Sequence, residues 1–268
     1  MENQKELTQI TVPLHGNELL EKALEAINSN KEIFTLWKIT NVTAQNRLGW
    51  ADHGPVHFQI VANVALRMAR LLLKNNVDFT VTRDFGLSYK HAELIILLGS
   101  LFHDLGMSVH RSNHEEYSLF LANNLLREVL TFLPVEERTI VISETLHCII
   151  CHSNQRAAKP FTIEAGVVRI ADALDMSKGR IKAAYDAGAK NIHAISAAAI
   201  DKVEILEGAK KPIQITIIMN NSAGLFQIDD LLEGKLAGSG IEKYIMVKAF
   251  VEGDTEKSLI TEFSIGDD

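Results

Sequence analysis

Residues His91–Gly106 read HAELIILLGSLFHDLG. The apolar run is too long and too continuous for a half-buried strand, so it predicts a helix buried on nearly every side. It ends on a doublet, His103-Asp104, followed by Leu105-Gly106. Placing a carboxylate directly after so apolar a helix is costly unless something compensates its charge. A divalent cation would do so, and one acidic group among several imidazoles suits Zn, Mn, Fe or a similar first-row metal better than Ca. The bland alternative is a capped helix end with Asp104 bonded to backbone.

Outward from this stretch, almost every segment between Gly16 and about Asp201 reads as helix. Asn17 can cap ELLEKALEAI, and Pro55 opens VHFQIVANVALRMARLLLKN, where Ile60, Val61, Val64, Met68, Leu71 and Leu72 recur at helical spacing. A polar, turn-like stretch, NNVDFTVTRDFGLSYK, follows. Further helices are expected at about 90–104, 114–131, 135–152, 163–176 and 182–198. After Asp201 the pattern changes. KVEILEG and PIQITIIMNN read as strands separated by the turn-prone Gly208–Pro212, a short helix covers roughly Leu225 to Leu236, and EKYIMVKAFVEG and SLITEFSI read as two more strands. The expected fold class is mainly α: a helical body over 1–200 and a small α+β subdomain of β-β-α-β-β order over 201–268.

Composition agrees with a folded chain: 268 residues, 47% hydrophobic and 23% charged, exclude disorder and collagen-like repeats. A net charge of −7 and a pI near 5.8 argue against sequence-independent wrapping of nucleic acid. The opening MENQKELTQITV lacks a signal-peptide pattern, and runs such as Leu94–Phe102 fall short of the roughly 20 apolar residues that span a bilayer. A cytoplasmic protein without membrane contact is therefore expected. Cys148, Cys151 and His152 spell the c-type haem pattern C-I-I-C-H, but within the helical run TIVISETLHCIICH and without an export signal. No strand precedes the pair, as a thioredoxin-like site would require. Buried structural cysteines are the better reading.

Two further elements join the doublet. His57 lies three, four and seven residues before Ile60, Val61 and Val64, so it faces inward, where both ring nitrogens need partners. Arg169–Asp175 reads RIADALD, with Asp172 and Asp175 on one margin of an apolar helix, where they would meet a metal, form a solvated face or pair with Arg169 or Arg180. His15, His91 and His193 have no carboxylate context and read as ordinary histidines.

The ordered set His57, His103-Asp104 and Asp172 resembles the HD superfamily of metal-dependent phosphohydrolases, whose pattern is a His, a His-Asp doublet and a distant Asp on helices of one bundle. The doublet follows the first His by 46 residues, and the last Asp lies 68 further on. HDLGMSVHRSNHEEYSLFLA and RIADALDMS are similar to the HD domain of exopolyphosphatase and guanosine pentaphosphate phosphohydrolase relatives, without their actin-like domains. The Gly-Tyr-Pro motif of cyclic-di-GMP hydrolases is absent.

The resemblance implies a helical HD-domain bundle holding one or two divalent ions (Mn, Fe, Zn, Co, Ni or Mg). His57, His103, Asp104 and Asp172 would hold the first ion. Asp104 would bridge to a second held by His114 and His152. His103 and Asp104 would be the catalytic core, and hydrolysis of a phosphorylated small molecule the reaction, with a metal-activated water as nucleophile. His110 would share the face of His114 only if its loop were helical. Between His147 and His152 periodicity does not choose, because both flank the stripe of Leu146, Ile149, Ile150 and Ser153 equally; the resemblance favours His152, with His147 exposed. His53 reads as an outer ligand or a substrate contact. Arg111, Arg156, Lys159, Lys178 and Arg180 would give an acidic protein a locally basic mouth for phosphate, although some are ordinary surface charges. Two other readings of the same ligands stay open: a regulatory or ligand-binding module, and a di-iron oxygenase. The substrate is not specified, and the unpaired strand edges of the tail would suit a homodimer.

Overall fold

A computed structural model describes residues 9–154, 158–177, 192–252 and 262–265. The described helices are α1 (Glu18–Ser29), α2 (Lys31–Asn41), α3 (Pro55–Lys74), α4 (Thr80–Phe85), α5 (Tyr89–Phe102), α6 (His114–Val129), α7 (Val135–Cys151), α8 (Ile163–Leu174) and α9 (Ile192–Ala198). Strands β1 (Ile200–Glu207), β2 (Ile213–Met219), β3 (Ile245–Val251) and β4 (Glu262–Ile265) follow. The fold is mainly α, with the expected strand, strand, helix, strand, strand order at the C-terminal end.

Helix α5 is the hub, as its composition demands: every residue from Ala92 to Phe102 is buried, and α1, α3, α7 and α8 pack around it. Trp37 of α2 is anchored to it by an Nε1–H bond to the Leu101 carbonyl, 3.0 Å. Asn17 caps α1 as its side chain allows, its Oδ1 accepting from the Leu19 and Leu20 amides at 3.0 and 3.4 Å. Pro55 occupies the first turn of α3. By length and composition α3 could cross a bilayer, a feature that a search for uninterrupted apolar runs passes over. Half of it is buried, and it packs against α5 and α8.

One segment departs from the sequence reading. The polar stretch 75–90, expected as turn, contains the short helix α4, which ends at Gly86 with φ +69°. Its start is held from a distance: Glu164 Oε1 accepts from the Val81 amide at 2.9 Å, and Thr80 Oγ1 accepts from the Ile163 amide at 2.9 Å. Such a tertiary cap leaves no local signal. Of the helix expected at 182–198, only α9 lies within the described residues.

The sheet runs β1-β2-β3-β4, antiparallel, then parallel, then antiparallel. β2 shows the period-two pattern of a half-covered strand, with Ile213, Ile215, Ile217 and Met219 buried. The parallel β2–β3 pair needs a crossover, supplied by short helical turns through 222–236 that bury Ile228, Leu232 and Leu236. This crossover packs on α8, and one continuous hydrophobic core joins helices and sheet.

The turn after α5 is equally tight. A Cβ on Gly106 would stand 2.0 Å from the His114 carbonyl oxygen and 2.6 Å from the Ser118 amide nitrogen. Gly106→Ala is expected to cost ~3 kcal/mol by overpacking, read as a lowered thermal midpoint. An unchanged midpoint would contradict this packing.

Candidate metal centre

The ends of five helices deliver the candidate ligands to one buried point. His57 comes from the start of α3, His103 and Asp104 from the end of α5, His114 from the first position of α6, His152 from the end of α7 and Asp172 from the last turn of α8. All six are buried. Local contacts fix each approach. Asp52 Oδ1 accepts from the Gly54 amide at 3.0 Å and the His57 amide at 3.4 Å, seating the start of α3. Ser118 donates from Oγ to the His103 carbonyl at 2.7 Å and accepts from the Gly106 amide at 2.8 Å, tying the doublet to α6.

Asp104 stands at the centre with its two oxygens turned to different histidine pairs. Its Oδ1 lies 3.1 Å from His114 Nε2 and 3.4 Å from His152 Nε2. Its Oδ2 lies 3.3 Å from His103 Nε2 and 4.0 Å from His57 Nε2. Asp172 Oδ1 joins the second pair, 3.4 Å from His57 Nε2 and 3.6 Å from His103 Nε2. Among the described residues, His57, His103 and Asp172 form one group able to hold a metal ion, and His103, Asp104 and His152 another.

The ring tautomers show what such a group wants. His103 Nδ1 lies 2.9 Å from the Ser100 carbonyl, His152 Nδ1 2.7 Å from the Ile149 carbonyl and His57 Nδ1 2.6 Å from Asp175 Oδ2, so these three rings donate from Nδ1. Their Nε2 lone pairs then point inward. His57 and His103 bring theirs within 3.3 Å of each other, and His114 and His152 repeat that spacing. Facing lone pairs repel unless a cation, a proton or a metal ion, lies between them. Neutral imidazoles held by carbonyl and carboxylate partners, together with two carboxylates, are a donor set that fits a divalent first-row metal.

A family model for the HD domain matches residues 57–177. The chain is also 41% identical over 237 residues to an uncharacterized protein of Methanocaldococcus jannaschii, covering 88% of this chain and 90% of that one. The chain belongs to the HD family. No solved structure matches it.

Around this HD centre the other sequence candidates sort by geometry. His53 lies at the rim: Nδ1 donates to the Ala51 carbonyl at 2.8 Å, and Nε2 is 3.9 Å from Asp104 Oδ2. His110 is exposed, its Nδ1 accepting from the Ser112 amide at 3.0 Å. His147 is half-buried rather than exposed, stacked on Phe161 with ring centroids 3.7 Å apart, and burial pushes its ring down to about 4. His15 is exposed, and His91 pairs with Glu137 at 3.1 Å. Both cysteines are free and buried, and burial raises their thiols. Arg111 reaches His114, Nη1 to Nδ1 2.7 Å, with its guanidinium 4.7 Å from the Trp50 ring centroid. Lys159 is exposed. Arg156, Lys178, Arg180 and the side chain of His193 lie outside the described residues.

Two partners, Glu115 and Lys235, escaped the sequence reading, and a third, Arg169, has a different role from the one expected. Glu115, buried beside His114 (Oε2 to Nδ1 3.2 Å), accepts from Ser153 Oγ. Arg169 donates to the Cys151 and Ser153 carbonyls at 2.8 and 2.7 Å, bracketing His152 rather than pairing with an aspartate. Lys235, from the C-terminal crossover, pairs with Asp172 Oδ2. Glu115 and Lys235 carry no periodicity or motif that points to the centre, and Arg169, named as a partner for an aspartate, binds carbonyls instead. Asp175, marked by its margin beside Asp172, holds His57.

Burial opposes charge on His103, but Asp104 and Asp172 outweigh it and push the ring up to about 10. Burial likewise opposes the charged forms of Asp104 and Asp172, yet His103 with hydrogen bonds from His114 and His152 holds Asp104, and Lys235 with His103 and His57 holds Asp172, well below the usual carboxylate range. In metal-free protein His103 therefore carries a proton at neutral pH that a metal must displace. Metal affinity is expected to rise with pH up to about 10, with proton release visible by calorimetry in buffers of different ionisation enthalpy. The stability that metal-free protein draws from this proton is full below 6.5 and lost as pH rises through about 10. Asp175→Asn is expected to lower metal affinity by about 10–100-fold, read by competition with a chelating dye.

Proposed function

We propose that this HD domain is a metal-dependent phosphohydrolase acting on a phosphorylated small molecule. The observation that carries this reading is the Asp104 carboxylate, whose oxygens each face a separate pair of buried imidazoles. A carboxylate so placed would suit two ions, the first held by His57, His103, Asp104 and Asp172 and the second by Asp104, His114 and His152. Divalent ions bound there would supply an activated water and neutralise phosphoryl charge.

The chain's own groups would do the rest. Arg111 is the cation beside the His114 and His152 pair, and its buried Nε has no hydrogen-bond partner among the described residues. An orphaned guanidinium donor next to the centre suits a phosphoryl oxygen. Trp50 supports that guanidinium from below. His53, whose Nε2 lies 3.9 Å from Asp104 Oδ2, would contact substrate at the rim. Buried Asp175 and Glu115 keep His57 and His114 in orientation.

Phosphate release from a panel of phosphate esters, beginning with p-nitrophenyl phosphate, tests the proposal. Activity is expected to vanish with chelator, return with a divalent first-row metal and proceed equally without oxygen. Loss of Asp104 removes several kcal/mol of charge stabilisation, so Asp104→Ala is expected to lower turnover by about a thousandfold or more. Oxygen-dependent product, or a variant that loses thermal stability while keeping turnover, would contradict it.

A further inference from the structure

Lys235 belongs to the crossover between β2 and β3, yet it is buried against Asp172 of α8. Its Nζ pairs with Asp172 Oδ2, while Oδ1 of the same carboxylate faces His57 and His103. The two oxygens thus have separate partners. A buried ion pair is weak evidence for stability, since apolar residues of similar size often serve a core as well or better. Its presence at this point calls for a role in the centre.

The backbone around Lys235 is fixed with unusual care. Arg169 Nε donates to the Lys235 carbonyl at 3.1 Å, and the same guanidinium grips the Cys151 and Ser153 carbonyls on either side of His152. Gly234 lies so close to the His152 loop that a Cβ there would stand 2.8 Å from Asn154 Nδ2. A Cβ on Gly166 of α8 would meet the Ser239 carbonyl oxygen at 2.5 Å. Buried Leu232 and Leu236 anchor the crossover on either side of the lysine. One arginine thereby sets both the His152 end of α7 and the lysine of the sheet unit.

We infer that Lys235 is a positioning residue of the HD centre, contributed by the C-terminal sheet unit: its ammonium engages Asp172 Oδ2 so that the carboxylate meets the ion through Oδ1 alone. This rests on the metal-centre reading above. Without the ammonium, Oδ2 is free to turn inward and join Oδ1 on the same ion. The sheet unit is then part of the site.

Cobalt(II) reports the difference, because its visible absorption weakens as coordination number rises. Wild-type protein and Lys235→Arg loaded with Co²⁺ are expected to share one spectrum. Lys235→Met, matched in length but uncharged, is expected to keep its Co²⁺ with weaker absorption, and to lose activity by about tenfold or more in kcat with little change in KM. Lys235→Leu gives the same reading if the methionine variant does not fold. A methionine or leucine variant with the wild-type spectrum and kcat overturns the inference while leaving the metal centre standing. Wild-type protein that takes up no Co²⁺ overturns the metal-centre reading itself.

Discussion

A single buried carboxylate, Asp104, sets the terms for the rest of the structure. It sits buried at the end of a helix with no polar face, in contact range of five imidazoles. Helices α3, α6, α7 and α8 each start or end where they can present a polar group to that point. The caps and turns at those ends, Asp52 before α3, Ser118 across the doublet and Arg169 behind His152, hold the presentation in place. The bundle and the centre are therefore one construction, since the polar ends would be costly to bury without each other.

Orientation comes from the far side of each ring. Carbonyls at Ser100 and Ile149 and the Asp175 carboxylate take the Nδ1 protons of His103, His152 and His57, which leaves Nε2 as the inward atom. Such outer partners fix tautomer and ring angle before any ion arrives, so little reorganisation is needed on binding. In the absence of an ion the same arrangement draws a proton onto His103. The centre suits a cation, and in metal-free protein below pH about 10 that cation is the His103 proton.

Much of this was legible in the sequence because burial leaves periodic marks. The apolar run before His103-Asp104 announced α5, the stripe after Pro55 placed His57 inward, and Asp172 stood out as a charge on an apolar helix. His147 and His152 were not separable by periodicity, since the choice depends on where α7 stops. The helix ends at Cys151, and His152 falls on the cap, where its ring folds back onto the Ile149 carbonyl and Nε2 turns to Asp104. Helix α4 was hidden because its cap is Glu164, far along the chain. Lys235 was hidden for the same reason, its partner lying 63 residues away on another element.

Metal content per chain tests most directly whether Asp104 joins two cation sites. Elemental analysis of protein purified without chelator is expected to find about two equivalents of a divalent first-row metal, retained through desalting. Protein that holds one equivalent or none, even after reconstitution with Mn, Fe, Zn, Co or Ni, would contradict the account.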